Sequence, residues 1–215
     1  MECCGKQIWT NLTKESLGRL VIERPDEGIR GAVKANWDKI AKPLDGMGRF
    51  EEMTAQIGAI TGDERLDLSK KAVLIFCADN GIVAEGVSQT GQEVTFAVAK
   101  SMARNASSVG RMARFAGADT IPVDIGINSD LTIDGVMDKK IVHGTRDFLI
   151  EPAMSEEETL RAIETGIALV AECKDKGYRI LATGEMGIGN TTTSSAVAAA
   201  LLGCKSALVV GRGAG

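Results

Sequence analysis

Seven consecutive apolar residues, Ala72-Val73-Leu74-Ile75-Phe76-Cys77-Ala78, run without a polar break and stop abruptly at Asp79-Asn80-Gly81. A run of this length is far short of the roughly 20 residues of a membrane helix, and a strand without alternation must be covered on both faces. That is the condition inside a parallel sheet whose crossovers are helices. The chain downstream supplies such helices. Val94, Ala97, Val98 and Met102, then Val109, Met112 and Phe115, recur at helical steps before a second strand from about Thr120 to Ile125 that closes on Gly126. Ser155 and Glu158 form a capping box for a helix with Leu160, Ile163, Ile167 and Val170 on one face. Tyr178 to Thr183 then reads as a strand, Asn190 to Leu202 as a helix and Ala207 to Val210 as a strand.

The first 60 residues have a different texture. Leu17, Leu20 and Val21, then Ile29, Val33, Trp37 and Ile40, then Phe50, Met53, Ile57 and Ile60 follow helical spacing. Pro43 and the glycines of Lys42-Pro43-Leu44-Asp45-Gly46-Met47-Gly48-Arg49 make a turn between the second and third helices. The expected organisation is an N-terminal helical segment over residues 1–65 and an α/β domain over 66–215, a Rossmann-like, mostly parallel sheet flanked by helices. No internal repeat or low-complexity tract interrupts it.

Composition removes several functions. Lysine and arginine number 25 against 29 aspartates and glutamates, so the net charge of −4 does not fit a nucleic-acid binder that works through bulk positive charge. An aromatic content of 4% leaves little for stacking single-stranded bases. The start, Met1-Glu2-Cys3-Cys4-Gly5-Lys6, has no signal-peptide apolar region, so a cytoplasmic chain without a membrane partner is expected. Cysteines at 3, 4, 77, 173 and 204 form an odd set without CxxC spacing, which counts against disulfides. With His143 the only histidine, no metal site is expected, and His143 itself is given no role.

Glycine is abundant, 25 residues with only 4 prolines, and it gathers where strands end. In an open α/β sheet ligands collect at those ends. The ends are Asp79-Asn80-Gly81, Asp124-Ile125-Gly126, Gly184-Glu185-Met186-Gly187 and Gly211-Arg212-Gly213. The third continues as Ile188-Gly189-Asn190-Thr191-Thr192-Thr193, a glycine-rich turn that leaves a strand and opens a helix, where backbone N–H groups converge on a phosphate. Its spacing fits neither G-x-G-x-x-G nor the P-loop, which disfavours a dehydrogenase and an ATPase. Glu185 beside a phosphate needs a cationic or hydroxyl partner, and a ribose developing oxocarbenium charge supplies one; the competing reading is a solvated loop carboxylate.

These segments, with Glu85-Gly86-Val87, Gly144-Thr145-Arg146 and Pro152-Ala153-Met154-Ser155, closely resemble the nicotinate-nucleotide:dimethylbenzimidazole phosphoribosyltransferase family, in order from about residue 30 to the last. The resemblance implies transfer of the phosphoribosyl group of nicotinate mononucleotide to a nitrogen of 5,6-dimethylbenzimidazole or a related base. The products are nicotinate and α-ribazole 5′-phosphate, for cobalamin assembly. It further implies a homodimer without a cofactor. Gly187, Ile188, Gly189, Asn190, Thr191 and Thr192 become the phosphate and ribose cradle, and Glu185 a supporting catalytic carboxylate. Thr90, Met186, Ile188, Asp79 and Asn80 become the base-binding set. Asn80 stands where the family commonly has histidine, and Glu151 where it has glycine. The family's catalytic base and a phosphate-binding lysine lie in a continuation past Val210 that has no counterpart here. A truncated chain without turnover is therefore expected, and the alternative function is a non-catalytic nucleotide-binding fragment.

Overall fold

The computed structural model describes residues 11–213, so the expectations placed on Met1–Lys6, on Cys3 and Cys4 and on residues 214–215 lie outside the described residues. The chain forms two compact units, Glu15–Ser69 and the combination of Met1–Lys14 with Lys70–Gly215.

In the first unit, α1 (Lys14–Gly18) is a five-residue helix, and Val21 and Ile22 beyond it are 85% and 83% exposed, so the helix expected through Leu20 and Val21 is shorter than its spacing implies. Helix α2 (Glu27–Asp38) starts where the Asp26 carboxylate accepts from the N–H groups of Gly28 and Ile29 at 2.8 and 3.0 Å. Helix α3 (Arg49–Thr61) buries Glu51, Thr54, Ala55, Gly58 and Ala59, whereas Phe50, Met53 and Ile60, expected on its core face, are exposed. Close approach decides this. A Cβ at Gly58 would lie 2.7 Å from Val33 Cγ2, so the small-residue face packs on α2 where bulky side chains cannot. Trp37 adds a donation from Nε1 to Thr54 Oγ1 at 2.8 Å. The expected turn at 42–49 is present and pinned, because Glu51 accepts from Lys42 Nζ at 2.8 Å and from the Met47 N–H at 3.0 Å.

The second unit holds a four-stranded sheet of β1 (Lys71–Ala78), β2 (Ala118–Gly126), β3 (Met137–Asp138) and β4 (Ile180–Met186), parallel throughout in the order β3-β2-β1-β4. Helices α4 (Glu93–Ala103) and α5 (Ser108–Phe115) connect β1 to β2, α6 (Glu156–Asp175) precedes β4 and α7 (Asn190–Leu202) follows it. The α/β class with a parallel sheet is therefore as expected. Ile75 and Cys77 of β1 meet Ala99 and Met102 of α4, with Ile127 and Ile133, in the core. Burial pushes the Cys77 thiol up to about 12, so it is an inert core group.

Four details depart from the sequence reading. Strand β4 runs to Met186, so Gly184, Glu185 and Met186 are strand residues and the turn is only 187–189. Strand β3 leaves no sequence signal, being two residues that join the sheet through β2 alone. Helix α6 buries Leu169 and Cys173, and Val170 is 52% exposed; apolar residues nearly encircle this helix, so spacing does not select its face. The strand expected at 207–210 is instead a 3₁₀ turn over Ser206–Leu208. Its N–H groups close locally, from Val209 and Val210 to Ser206 O at 3.0 and 2.9 Å, and do not pair with β4.

The capping box of α6 forms as expected and is reinforced from outside. Glu158 accepts from the Ser155 N–H, and Arg146 donates to both its oxygens at 3.1 and 2.7 Å. The Arg146 fork, aided by the Ser155 N–H, holds the Glu158 carboxyl down at about 2, below its ordinary 4.5. A lowered folded-state value means that the contribution is full above the ordinary value and lost as pH falls toward about 2. Urea midpoints of the parent and Glu158→Gln should therefore differ most near neutrality and converge across that acid window; a constant gap would show that the fork does not set the titration.

Candidate functional site

The chain leaves β1 for β2 on one side and later returns to β1's other side as β4. That reversal places the topological switch point at the carboxyl ends of β1 and β4, the crevice where open α/β sheets bind ligands. The residues meeting there are Asp79 and Asn80 from β1 and the turn Gly187-Ile188-Gly189 from β4. The turn is tight by necessity: a Cβ on Gly187 would lie 2.1 Å from Ala78 O, and Gly189 has φ +86° as the cap of α7.

Side chains from three elements hold this turn. Asn80 Nδ2 donates to Ile188 O at 3.1 Å, Thr95 Oγ1 of α4 accepts from the Ile188 N–H at 3.1 Å, and Asn190 Nδ2 donates to Glu185 Oε2. Thr193 Oγ1 donates to Asn80 Oδ1 at 2.8 Å. Behind it, Gln92 Nε2 donates to Asn80 O at 3.2 Å and its Oε1 accepts from Asn128 Nδ2 at 2.9 Å, while the Asn128 N–H donates to Asp79 Oδ2 at 2.8 Å. Lys140 Nζ, 3.2 Å from Asp124 Oδ2, fixes the neighbouring β2 end, where Asp124 also accepts from the N–H groups of Gly126 and Ile127.

Helix α7 begins with neither a side-chain cap nor an acidic residue in its first turn. By contrast α2, α5 and α6 carry capping side chains, and α3 and α4 have glutamates there. No charge or cap of its own meets the positive end of α7, and the carboxylate that reaches it, Glu185 of β4, is bonded to the Asn190 side chain and not to the backbone N–H groups, which leaves that end able to hold an anion. Glu185 is exposed as a residue, yet desolvation raises its carboxyl above the ordinary value against the lowering influence of Asn190. A carboxylate poorly solvated in this way has a favourable partner in any positive charge that forms beside it.

The expected residues are distributed unevenly over this geometry. Glu185, Gly187, Ile188, Gly189, Asn190 and Asn80 share one hydrogen-bonded cluster, with Thr191 and Thr192 in the adjoining first turn of α7. The Ile188 N–H is already taken by Thr95, and that of Thr192 by Gly189 O at 3.1 Å. Met186 packs against the core cluster. Asp79 is 1% exposed and burial raises its carboxyl, although the Asn128 N–H and Thr95 hydroxyl oppose the shift. Thr90 is exposed, its N–H on Ser88 Oγ at 3.3 Å, and among the described residues no hydrogen bond ties it to the turn. His143 lies 3.8 Å from Asp130 Oδ1, apart from these bonds.

Sequence reasoning missed Thr95, Gln92 and Asn128, and it placed Thr193 in the first turn of α7 without its bond to Asn80. Thr95 alone left a signal, as a polar residue one turn before Ala99 and two before Met102 on the buried stripe of α4. Among the described residues no cluster of three or more histidine, cysteine or acidic side chains could hold a metal, and no helix is long and apolar enough to cross a membrane.

A family model described as "Phosphoribosyltransferase" matches residues 22–215. A Clostridium perfringens protein named nicotinate-nucleotide–dimethylbenzimidazole phosphoribosyltransferase is 42% identical over 194 residues, covering 90% of this chain and 54% of the relative. The Acetivibrio thermocellus protein of the same name is 41% identical over 203 residues, covering 94% and 56%. The crystal structure of CobT from Thermus thermophilus superposes with a TM-score of 0.82 at 34% identity, covering 87% of this chain and 57% of that one. The chain thus spans a little over half the length of the relatives it matches. By sequence identity and by structural likeness, the chain belongs to the phosphoribosyltransferase family whose curated relatives are named nicotinate-nucleotide–dimethylbenzimidazole phosphoribosyltransferase.

Proposed function

We propose that this chain carries the nucleotide-binding machinery of an enzyme that transfers the phosphoribosyl group of nicotinate mononucleotide to a benzimidazole-type base, yielding nicotinate and α-ribazole 5′-phosphate for cobalamin biosynthesis. The observation that carries the reading is the pairing of Glu185 with the uncapped start of α7, cross-linked through Asn190. One group binds an anion, and the other stands a few residues away, where positive charge can be met.

In this reading Gly187, Gly189 and Thr191 offer the phosphate backbone N–H groups, Thr191 and Thr192 their hydroxyls and Asn190 its side chain, since the Asn190 and Thr192 N–H groups are bonded within the turn. Ile188 supplies the bend and an apolar side chain toward the base. As the glycosidic bond to nicotinate lengthens, positive charge grows on the ribose; Glu185 stabilises it more in the transition state than in the ground state, which accelerates the step. The base's nitrogen attacks the opposite face, inverting the anomeric carbon, and its ring proton leaves to a general base. No redox or metal cofactor enters the scheme, because positioning and electrostatics suffice for transfer at an activated anomeric carbon. A cytoplasmic homodimer completes the reading, on the strength of the family resemblance, and sedimentation of the purified chain tests its pairing.

Calorimetric titration with nicotinate mononucleotide, followed by chromatography of a mixture containing 5,6-dimethylbenzimidazole, tests the proposal. Saturable binding with formation of ribazole phosphate supports it. Binding without product identifies a nucleotide-binding chain without turnover, and absence of binding removes the site assignment.

A further inference from the structure

The peptide between Ile188 and Gly189 is pinned from one side by a residue of another element. Asn80, 9% exposed at the end of β1, donates from Nδ2 to Ile188 O at 3.1 Å and accepts at Oδ1 from Thr193 Oγ1 at 2.8 Å. A carbonyl can only accept, so the amide nitrogen must face Ile188 and the oxygen must face α7. One planar group thereby ties the β1 end, the glycine turn and the first turns of α7 together. The backbone carbonyl of Asn80 accepts in turn from Gln92, which Asn128 holds.

The consequence follows from peptide planarity. The bond is trans, so a C=O aimed at Asn80 directs the N–H of the same peptide, that of Gly189, the opposite way. The Ile188 N–H is meanwhile bound to Thr95. Two side chains from other elements therefore set the turn's orientation before any ligand arrives. We infer that Asn80 is a positioning residue: through the Ile188 carbonyl and Thr193 it aims the Gly189 N–H and the start of α7 at the nucleotide phosphate, and it does not bind the acceptor base. The inference rests on the reading of this turn as a phosphate site.

The role needs a donor and an acceptor on one short side chain, which the amide supplies. Aspartate would set an oxygen against the Ile188 carbonyl, and leucine would leave that carbonyl and the Thr193 hydroxyl without their partner. The pre-set geometry is what a phosphate subsite requires, because a turn ordered only on binding would lose affinity to the ordering itself.

The test compares Asn80→Ala with the parent for two ligands, nicotinate mononucleotide and nicotinate riboside, which lacks the phosphate, alongside amide exchange across residues 187–193. Loss of the clamp should weaken the mononucleotide by about tenfold, the size of one net hydrogen bond, and leave the riboside within about twofold. The Ile188 amide, bonded to Thr95 in the parent, should exchange about tenfold faster as the turn loosens. Equal weakening of both ligands, or an unchanged mononucleotide, would overturn the assignment. Should the parent bind neither ligand, the phosphate reading fails by itself; exchange at Ile188 still decides whether the clamp exists, unchanged protection refuting it. Thr193→Val, which removes only the hydroxyl partner, provides the same comparison if Asn80→Ala does not fold, with a smaller shift expected in the same direction.

Discussion

Gly187→Ala is expected to unsettle the whole switch point, although it adds a single methyl group. The new Cβ would lie 2.1 Å from Ala78 O and 3.0 Å from both Asn80 Nδ2 and Glu185 Oε1. The first of these is backbone at the end of a central strand, paired with β2 and β4 on its two sides, and it cannot swing away as a long side chain would. The turn must move instead, stretching the Asn80 and Thr95 contacts to Ile188. Overpacking of this kind costs about 1–3 kcal/mol, or about 2–10 °C of melting temperature in a chain of this size. Gly166→Ala is the matched control. Its Cβ meets nothing within 4 Å in the middle of α6, so helix propensity should stabilise the chain by roughly 0.5–1 kcal/mol. Opposite signs from one substitution, read by thermal melting, would locate the constraint at the turn; equal small effects would show that the turn has room.

This constraint is partly visible in the sequence. The run 72–78, the strand near 120–125 and the helix Asn190–Leu202 are legible because long apolar runs and helical spacing are local signals. The glycine turn is legible too, since few other reasons put glycines between a strand and a helix. What spacing cannot give is contact between distant segments. Asn80 and Ile188 lie 108 residues apart, and Thr95 and Ile188 lie 93 apart; no property of either segment alone announces the pairing. The same holds for faces. Phe50 and Met53 are more apolar than Ala55 and Gly58, yet α3 turns its small residues inward because α2 must come close. Hydrophobicity sets which residues favour burial, and shape decides which of them obtain it. The residues at 207–210 mislead for a related reason: an apolar Ala-Leu-Val-Val tetrapeptide reads locally as a strand, yet the N–H groups of Val209 and Val210 close on Ser206 O and the outer edge of β4 is left without them.

Thr191→Asp is expected to separate folding from binding at the start of α7, because one negative charge acts on the two in opposite directions. Thr191 is exposed at the second position of a helix that has no acidic residue in its first turn and no capping side chain. A carboxylate there faces the positive end of the helix and should raise stability by about 0.3–1 kcal/mol. The same carboxylate would stand against the phosphate of a bound nucleotide, beside the existing charge of Glu185. Like charges brought together at a binding site cost several kcal/mol, which corresponds to an affinity loss of about a hundredfold or more. Gly189→Asp would confuse the two effects, since Gly189 has φ +86° and its added Cβ would lie 2.8 Å from Val83 Cγ2. Thr191→Asn, of the same shape as aspartate but neutral, supplies the control and should bind nicotinate mononucleotide within severalfold of the parent. Titration calorimetry and thermal melting on the three proteins measure both quantities. A more stable chain that has lost the nucleotide places the phosphate at this helix end, and a more stable chain that binds as before places it elsewhere.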